Sequence, residues 1–194
     1  MKYIIKTEKI IIPEGVTVTS KARVVTVKGP KGTITKSFKH IKAEIIVQKE
    51  QDEHTKETHN VVRINIYMNT YKQGAILYTL RSHINNMIKG VTSGFRYKMH
   101  EVHKHFPIDL HIKDNAVNTI KYLGQRYVKV IPLPEGITCR KNPKNPSELW
   151  FDGIDCDLLG CTCSKVFQSC YPKDKDIRKF LDGIFISERG LLEN

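Results

Sequence analysis

No uncharged apolar run in this sequence approaches the roughly 18 residues that a membrane-spanning helix needs, so no membrane partner is expected. No secretory signal is expected either, because the apolar start of Met1–Lys9 is broken at Lys6. Catalytic frames are missing as well. There is no nucleophile elbow, no His-Glu-x-x-His and no pair of carboxylates in a recognisable catalytic frame. An enzyme is therefore not expected. The five cysteines are an odd number, which fits a reducing compartment, cytosol or nucleus, better than a disulfide framework.

Metal-site spacing is absent too. Cys156, Cys161, Cys163 and Cys170 are separated by four, one and six residues, whereas zinc ligands come in pairs two to four apart on turns. Cys163 and Cys170 also fall on the apolar face of a predicted helix, so these thiols read as small buried hydrophobes. His100, His103, His105 and His111 form a loose group near Glu101, but no second ligand set accompanies them. No metal and no cofactor are expected.

Acidic residues are scarce against basic ones: 20 Asp and Glu face 32 Lys and Arg, for a formal net charge of +12. The sequence pI is near 9.5 and the mean hydropathy is −0.37. Such an excess favours a polyanionic partner. It is unevenly spread. Met1–His100 holds 18 basic residues against 7 acidic, net +11, whereas Glu101–Asn194 holds 14 against 13, net +1. Any phosphate contact from the second half must come from local clusters.

The clearest periodic stretch is Leu80–Met99 and its approach. Leu77, Leu80, Ile84, Met87 and Ile88 recur at helical spacing, with Ser82, Asn85, Asn86 and Lys89 on the other face. Gly90 reads as the helix end, since glycine takes the left-handed C-cap conformation readily. Phe95–Met99 then alternates apolar with the basic Arg96 and Lys98, which reads as a strand.

Before that helix come short strands. Ile10–Ile12 meets a turn at Pro13-Glu14-Gly15, and Val16–Thr19 follows. Arg23–Lys28 runs into Gly29-Pro30-Lys31-Gly32 and Thr33–Phe38 leaves it, a hairpin with Lys28 and Lys31 at its tip and Lys36 and Lys39 on the return arm. Two readings fit these lysines: solubility of an exposed hairpin, or phosphate contact by a turn whose amides form an oxyanion cradle. Ala43–Val47 and Val61–Tyr67 pair around a polar, solvated tip, Gln48–Asn60, and Tyr71–Ile76 leads into the helix.

After it, Phe95–Val102, Pro107–Ile112 and Thr119–Tyr122 read as strands with turn signals at Lys113-Asp114-Asn115. Pro134-Glu135-Gly136-Ile137-Thr138 then repeats Pro13-Glu14-Gly15-Val16-Thr17 but for Ile and Val. Leu149–Asp152 meets Gly153 as the earlier strand met Gly29, and Leu159, Cys163, Val166, Phe167 and Cys170 make a second helical stripe. The expected fold is α+β, with two duplicated modules over 1–94 and 95–194, each a small, mainly antiparallel sheet with one packed helix.

The last charged stretch, Pro172–Ile186, reads as a solvated helix start followed by an apolar run. Lys173, Lys175, Arg178 and Lys179 could grip a phosphate backbone, with Asp174, Asp176 and Asp182 capping amides and Ile177, Phe180, Leu181 and Ile184 anchoring the segment. The RNA-binding candidates are thus Lys28, Lys31, Lys89, Arg96, Lys98, Lys173, Lys175, Arg178 and Lys179.

Four motifs, Ile12–Val18, Val27–Ile34, Asn85–Met99 and Asp174–Gly190, together resemble the universal large-subunit ribosomal protein six family in its eukaryotic form, in the right order across nearly the whole chain. The resemblance implies a duplicated α+β fold and a structural role on large-subunit rRNA near the sarcin–ricin loop and the stalk base. It implies stalk-base proteins and other ribosomal proteins as neighbours, and translational GTPases passing close by. The location implied is the cytoplasmic ribosome, with nucleolar assembly. In the family the second module supplies much of the rRNA contact, which here falls on Lys173, Lys175, Arg178 and Lys179. One departure is the Gln48–Asn60 tip, where Glu50, Asp52, Glu53 and Glu57 outweigh Lys49 and Lys56 and argue against an RNA contact. Two rivals share these features: a free RNA-binding regulator, and a metal-dependent enzyme using the Cys and His groups.

Overall fold

A computed structural model describes residues 3–51, 58–69, 71–113 and 115–192. The chain divides into two units, Met1–Ser93 and Gly94–Asn194.

Unit 1 runs β1 (Tyr3–Ile11), β2 (Thr17–Lys21), β3 (Val24–Gly29), β4 (Gly32–Ser37), β5 (Glu44–Gln51), β6 (Thr58–Asn69) and α1 (Tyr71–Thr92). All its pairings are antiparallel and form two sheets, ordered β1-β6-β5 and β2-β3-β4. Alternation decides which side chains go inward. Val62, Ile64 and Ile66 of β6, and Val25 and Val27 of β3, are buried beneath Leu77, Leu80, Ile84, Met87, Ile88 and Val91 of α1.

Three expectations need correction here. The helix includes Tyr71–Ile76, and it passes through Gly90 to Thr92. The left-handed residue is Gly94, at φ 75°. The helix runs on because its end is capped from elsewhere in the fold: the Lys31 amide donates to the Val91 carbonyl at 3.0 Å. The Lys31 ammonium donates to the Ser93 carbonyl as well. A sequence window around Gly90 holds no sign of that partner. Finally, β5 and β6 pair out to Gln51 and Thr58, beyond the strand ends expected at Val47 and Val61. Of the predicted tip, 52–57 lies outside the described residues, including Asp52, Glu53, Lys56 and Glu57.

Unit 2 runs β7 (Phe95–Val102), β8 (Asp109–Lys113), β9 (Ala116–Ile120), a 3₁₀ turn (Tyr122–Gly124), β10 (Lys129–Pro132), β11 (Ile137–Lys141), β12 (Glu148–Gly153), α2 (Cys156–Ser169) and β13 (Gly183–Leu191). Its sheets are ordered β10-β9-β8 and β11-β12-β7-β13. Phe95, Tyr97 and Met99 alternate inward on β7 and join Leu149, Phe151, Leu159, Cys163, Val166 and Ile184 in one core. Asp155 caps α2 by accepting from the Asp157 amide. The strand expected at Thr119–Tyr122 lies earlier, because Lys121 at φ 62° and Leu123 at φ 49° turn the chain. Of the predicted turn Lys113-Asp114-Asn115, Asp114 lies outside the described residues, and Asn115 follows at φ 55°.

The α+β organisation and the duplication are what the structure shows, with two small sheets per unit where one was expected. The units correspond strand by strand in chain order. β1, β6 and β5 form one sheet as β7, β12 and β11 do, and β2-β3-β4 matches β8-β9-β10. In each unit the central strand of the first sheet leads into the helix, which packs back on that strand and on the unit's first strand. The Pro-Glu-Gly repeat is not in register with this duplication. It precedes β2 in unit 1 but β11, the counterpart of β5, in unit 2. What repeats is the local turn: Val16 and Ile137 amides donate back to the Pro13 and Pro134 carbonyls at 3.4 and 3.3 Å. Gly15 and Gly136 supply φ of 79° and 85°.

Candidate nucleic-acid interface

At one end of unit 1 the β3–β4 turn meets the last turn of α1. Gly29 sits so close to the helix that a Cβ there would lie 2.6 Å from Val91 Cγ2. This brings Lys28, Lys31 and Lys89 to the same end of the unit. Their states differ. Lys31 spends both its amide and its ammonium on the helix C-terminus, where a cation complements the helix dipole. The turn is therefore not an open row of amides. Lys28 and Lys89 are exposed and have no ion-pair partner among the described residues.

In unit 2, Arg96 and Lys98 lie on the β7 face that looks away from the core. Arg96 forms a two-pronged pair with Asp152, at 2.7 and 3.0 Å, and covers the Trp150 ring at 4.7 Å. Arg140 closes the group from β11, 3.0 Å from Asp152 and 5.6 Å from the Trp150 ring. Lys98 pairs with Glu188 of β13 at 2.6 Å. A groove of about 350 Å³ lies here, lined by Arg96, Lys98, Trp150, Glu188, Gly190 and Leu191. Trp150 is the single tryptophan of the sequence, but nothing beside it there points to Arg140 or Arg96 as its partners. Their only signal is the register of β11 and β12 on β7, which a sequence does not print.

The 170–183 connection between α2 and β13 carries the third group, and the predicted helix start is absent. Asp176 organises a single turn instead. Its carboxylate accepts from the Arg178 amide at 3.0 Å and from the Arg178 guanidinium at 3.1 and 3.0 Å. A short acidic side chain that captures nearby backbone in this way competes with helix. The Arg178 contacts hold the Asp176 carboxyl below the usual carboxylate range. Lys173, Lys175 and Lys179 are exposed, and Lys175 lies 6.0 Å from the Phe180 ring. The expected apolar anchors fail except for Ile184, which is fully buried. Ile177, Phe180 and Leu181 are 48%, 42% and 62% exposed, because no described element packs over them. β13 pairs Gly183 with Val102 and Gly190 with Arg96, so this segment leaves the sheet at the end away from Arg96, about 20 Å along the strand. The unit 2 candidates thus form two separate groups.

The thiols divide. Cys163 and Cys170 are buried, Cys139 and Cys156 are partly buried, and Cys161 is exposed, which corrects the expectation that the clustered thiols are all buried. Burial pushes Cys139 and Cys163 up to about 12, so neither is a thiolate at neutral pH. No group of three or more His, Cys, Asp or Glu side chains suited to a metal occurs among the described residues. No helix among them is long and apolar enough to cross a membrane.

Fold and surface together define a class: a duplicated α+β protein whose exposed features are basic clusters. The sequence profile described as Ribosomal protein L6 matches residues 12–94. The large ribosomal subunit protein uL6B of Saccharomyces cerevisiae is 37% identical over 196 aligned positions, covering 99% of this chain and 98% of that one. Its counterpart uL6 in Tetrahymena thermophila is 36% identical over the full length of both chains. The uL6 protein of the archaeon Aeropyrum pernix is 32% identical over 95% of each. The chain belongs to the ribosomal protein L6 family. Membership makes it a ribosomal protein and not an enzyme.

Proposed function

We propose that this protein is a structural component of the large ribosomal subunit that holds large-subunit rRNA at two surfaces, near the sarcin–ricin loop and the stalk base. Unit 1 contributes Lys28 and Lys89, with Lys31 holding the turn against α1. Unit 2 contributes Lys173, Lys175, Arg178 and Lys179. Arg96, held by Asp152, keeps the outer face of the sheet in shape, whereas Lys98, in a surface pair with Glu188, stays within reach of RNA. The observation that carries this reading is the 170–183 segment: three exposed lysines and an arginine beside exposed Ile177, Phe180 and Leu181. A free domain gains nothing from such a surface, whereas RNA matches it with phosphates for the cations and base faces for the ring. Stalk-base proteins are the expected neighbours and translational GTPases pass nearby. The protein would act in cytoplasmic ribosomes after joining the subunit in the nucleolus.

Two measurements test this. After a moderate salt wash the chain should co-sediment with large subunits at one copy each; a chain left in the supernatant would indicate a free regulator. Changing Lys173, Lys175, Arg178 and Lys179 together to Ala should lower the salt slope of rRNA binding by roughly 0.7–0.9 for each phosphate no longer neutralised. An unchanged slope would place the RNA-binding surface in unit 1.

A further inference from the structure

The two units differ at one structural position. In unit 2 the first strand, β7, is paired on both edges, with β12 on one side and β13 on the other. In unit 1 the corresponding strand, β1, pairs only with β6, and no described residue occupies its other edge. The chain passes directly from α1 into unit 2, so no described strand follows α1 within unit 1 as β13 follows α2 in unit 2. β1 and β13 are each nine residues long.

The open edge has neither a proline nor a bulge, two of the usual protections. The pairing of β1 with β6 runs from Tyr3 to Ile11 without a bulge that would twist the edge aside. Its charged side chains are folded back onto their own unit. Lys6 covers the Tyr78 ring at 4.6 Å, Glu8 pairs with Arg81 at 3.0 Å, and Lys9 pairs with Glu50 at 2.5 Å. Ile4 and Ile5, which alternate onto opposite faces, are 76% and 54% exposed, and Tyr78 of α1 is 48% exposed. In unit 2 the equivalent place is filled by Ile184 of β13, fully buried in the shared core, with α2 packed on that strand.

We infer that β1 is a docking edge for an extended segment of a neighbouring protein, which adds to the sheet as a fourth, antiparallel strand as β13 does in unit 2. The partner segment carries apolar side chains at alternate positions, to cover Ile4 and Tyr78 on one face and Ile5 on the other. A polypeptide fits because an open strand edge offers alternating N–H and C=O groups that another peptide backbone matches. RNA has no such ladder, and isoleucine offers nothing to its phosphates. The inference goes beyond the proposed function, and concerns a surface that the function does not use.

The test is amide hydrogen exchange read on peptides of β1, with the full chain in three states. These are the free chain, the chain on an rRNA fragment alone, and the chain in the native particle isolated through a tag. Exchange in β1 should slow at least tenfold in the particle and in neither other state. The Ile4→Lys, Ile5→Lys double variant should abolish that slowing while β6 and α1 peptides keep their protection, showing that the unit is still folded. Equal slowing on rRNA alone would assign the edge to RNA, and slowing in the free chain that rises with concentration would assign it to a second copy. Either result, no slowing in the particle, or slowing that survives the double variant overturns the inference. A particle without large-subunit rRNA would overturn the proposed function instead, and β1 exchange would still decide this one.

Discussion

Unit 1 and unit 2 share a strand order but use it differently. The first ends in a helix of 22 residues capped by its own β3–β4 turn, and the second in one of 14 residues followed by an added strand. Much of the basic surface of unit 2 is neutralised by its own carboxylates. Arg96, Arg140, Lys98, Lys121 and Arg178 all sit in ion pairs, so these five cations are not wholly free to serve a polyanion. A duplicated fold can thus keep its core while the positions left over, an edge, a turn and a connection, diverge. Divergence at such places is inexpensive because little buried packing depends on them.

The comparison breaks most severely if the two helices are not equivalent core elements. Leu80→Ala or Ile84→Ala in α1, and Leu159→Ala in α2, remove side chains that are fully buried. Each should cost about 2–5 kcal/mol in chemical denaturation, the range for truncating a buried aliphatic. An unchanged midpoint for either helix would mean that it does not pack through this face.

The glycines at the ends of β3 and β12 give a sharper contrast. Gly29→Ala forces a Cβ to within 2.6 Å of Val91 Cγ2 and 3.0 Å of its carbonyl oxygen, so the turn must lift off α1. The expected cost is about 1–3 kcal/mol, the usual range for overpacking. Gly153→Ala meets Ile137 at 3.4 Å and should cost less than about 1 kcal/mol. Equal costs would mean that the β3–β4 turn is not the cap of α1.

These cases also show what a sequence makes legible. The periodicity of Leu77, Leu80, Ile84, Met87 and Ile88 is local and reads directly as a buried face. The end of the same helix is not local, since its cap comes from Lys31, 62 residues before Ser93 in the chain. The Pro-Glu-Gly repeat points to a true duplication through a turn that does not mark its register, because short turn motifs recur wherever a left-handed residue is needed. In 170–183, apolar residues at near-helical spacing suggest anchors, but spacing carries no information on whether any element lies above them. Of the site candidates, composition singles out lysines and arginines. It cannot say that Arg96 faces Asp152 across a strand pair or that Lys28 has no ion-pair partner among the described residues.

Within unit 2, Arg96 and Lys98 separate a structural cation from a surface one. Arg96 is 14% exposed, as is Asp152, and holds it with two bonds. Arg96→Ala should cost about 1–3 kcal/mol, as it removes a charge-assisted pair together with the cation over the Trp150 ring. Lys98 and Glu188 are 33% and 60% exposed, and Lys98→Ala should cost no more than about 0.5 kcal/mol. Denaturation midpoints of the two variants decide it, and a Lys98→Ala loss as large as that of Arg96→Ala would make both cations structural.

The smallest effect concerns Asp176, whose turn keeps the basic segment in one conformation. Arg178 favours the ionised carboxylate, so the folded-state value lies below that of the unfolded chain. A depressed value of this sign adds stability above the unfolded carboxylate range, near about 4, and loses it as pH falls through the folded value. The turn should therefore be intact at neutral pH and loosen only in acid. A carboxyl-carbon NMR titration of the full chain should place the Asp176 midpoint below that of an unpaired aspartate, and Arg178→Ala should return it to the ordinary range. The same variant should leave the midpoints of Asp109 and Glu148 in place, since these carboxylates are held low by Lys121 and Asn142 in other parts of the unit. An Asp176 midpoint that does not move would show that Arg178 is free of it and available whole to a phosphate, which would strengthen the rRNA contact at the expense of the turn.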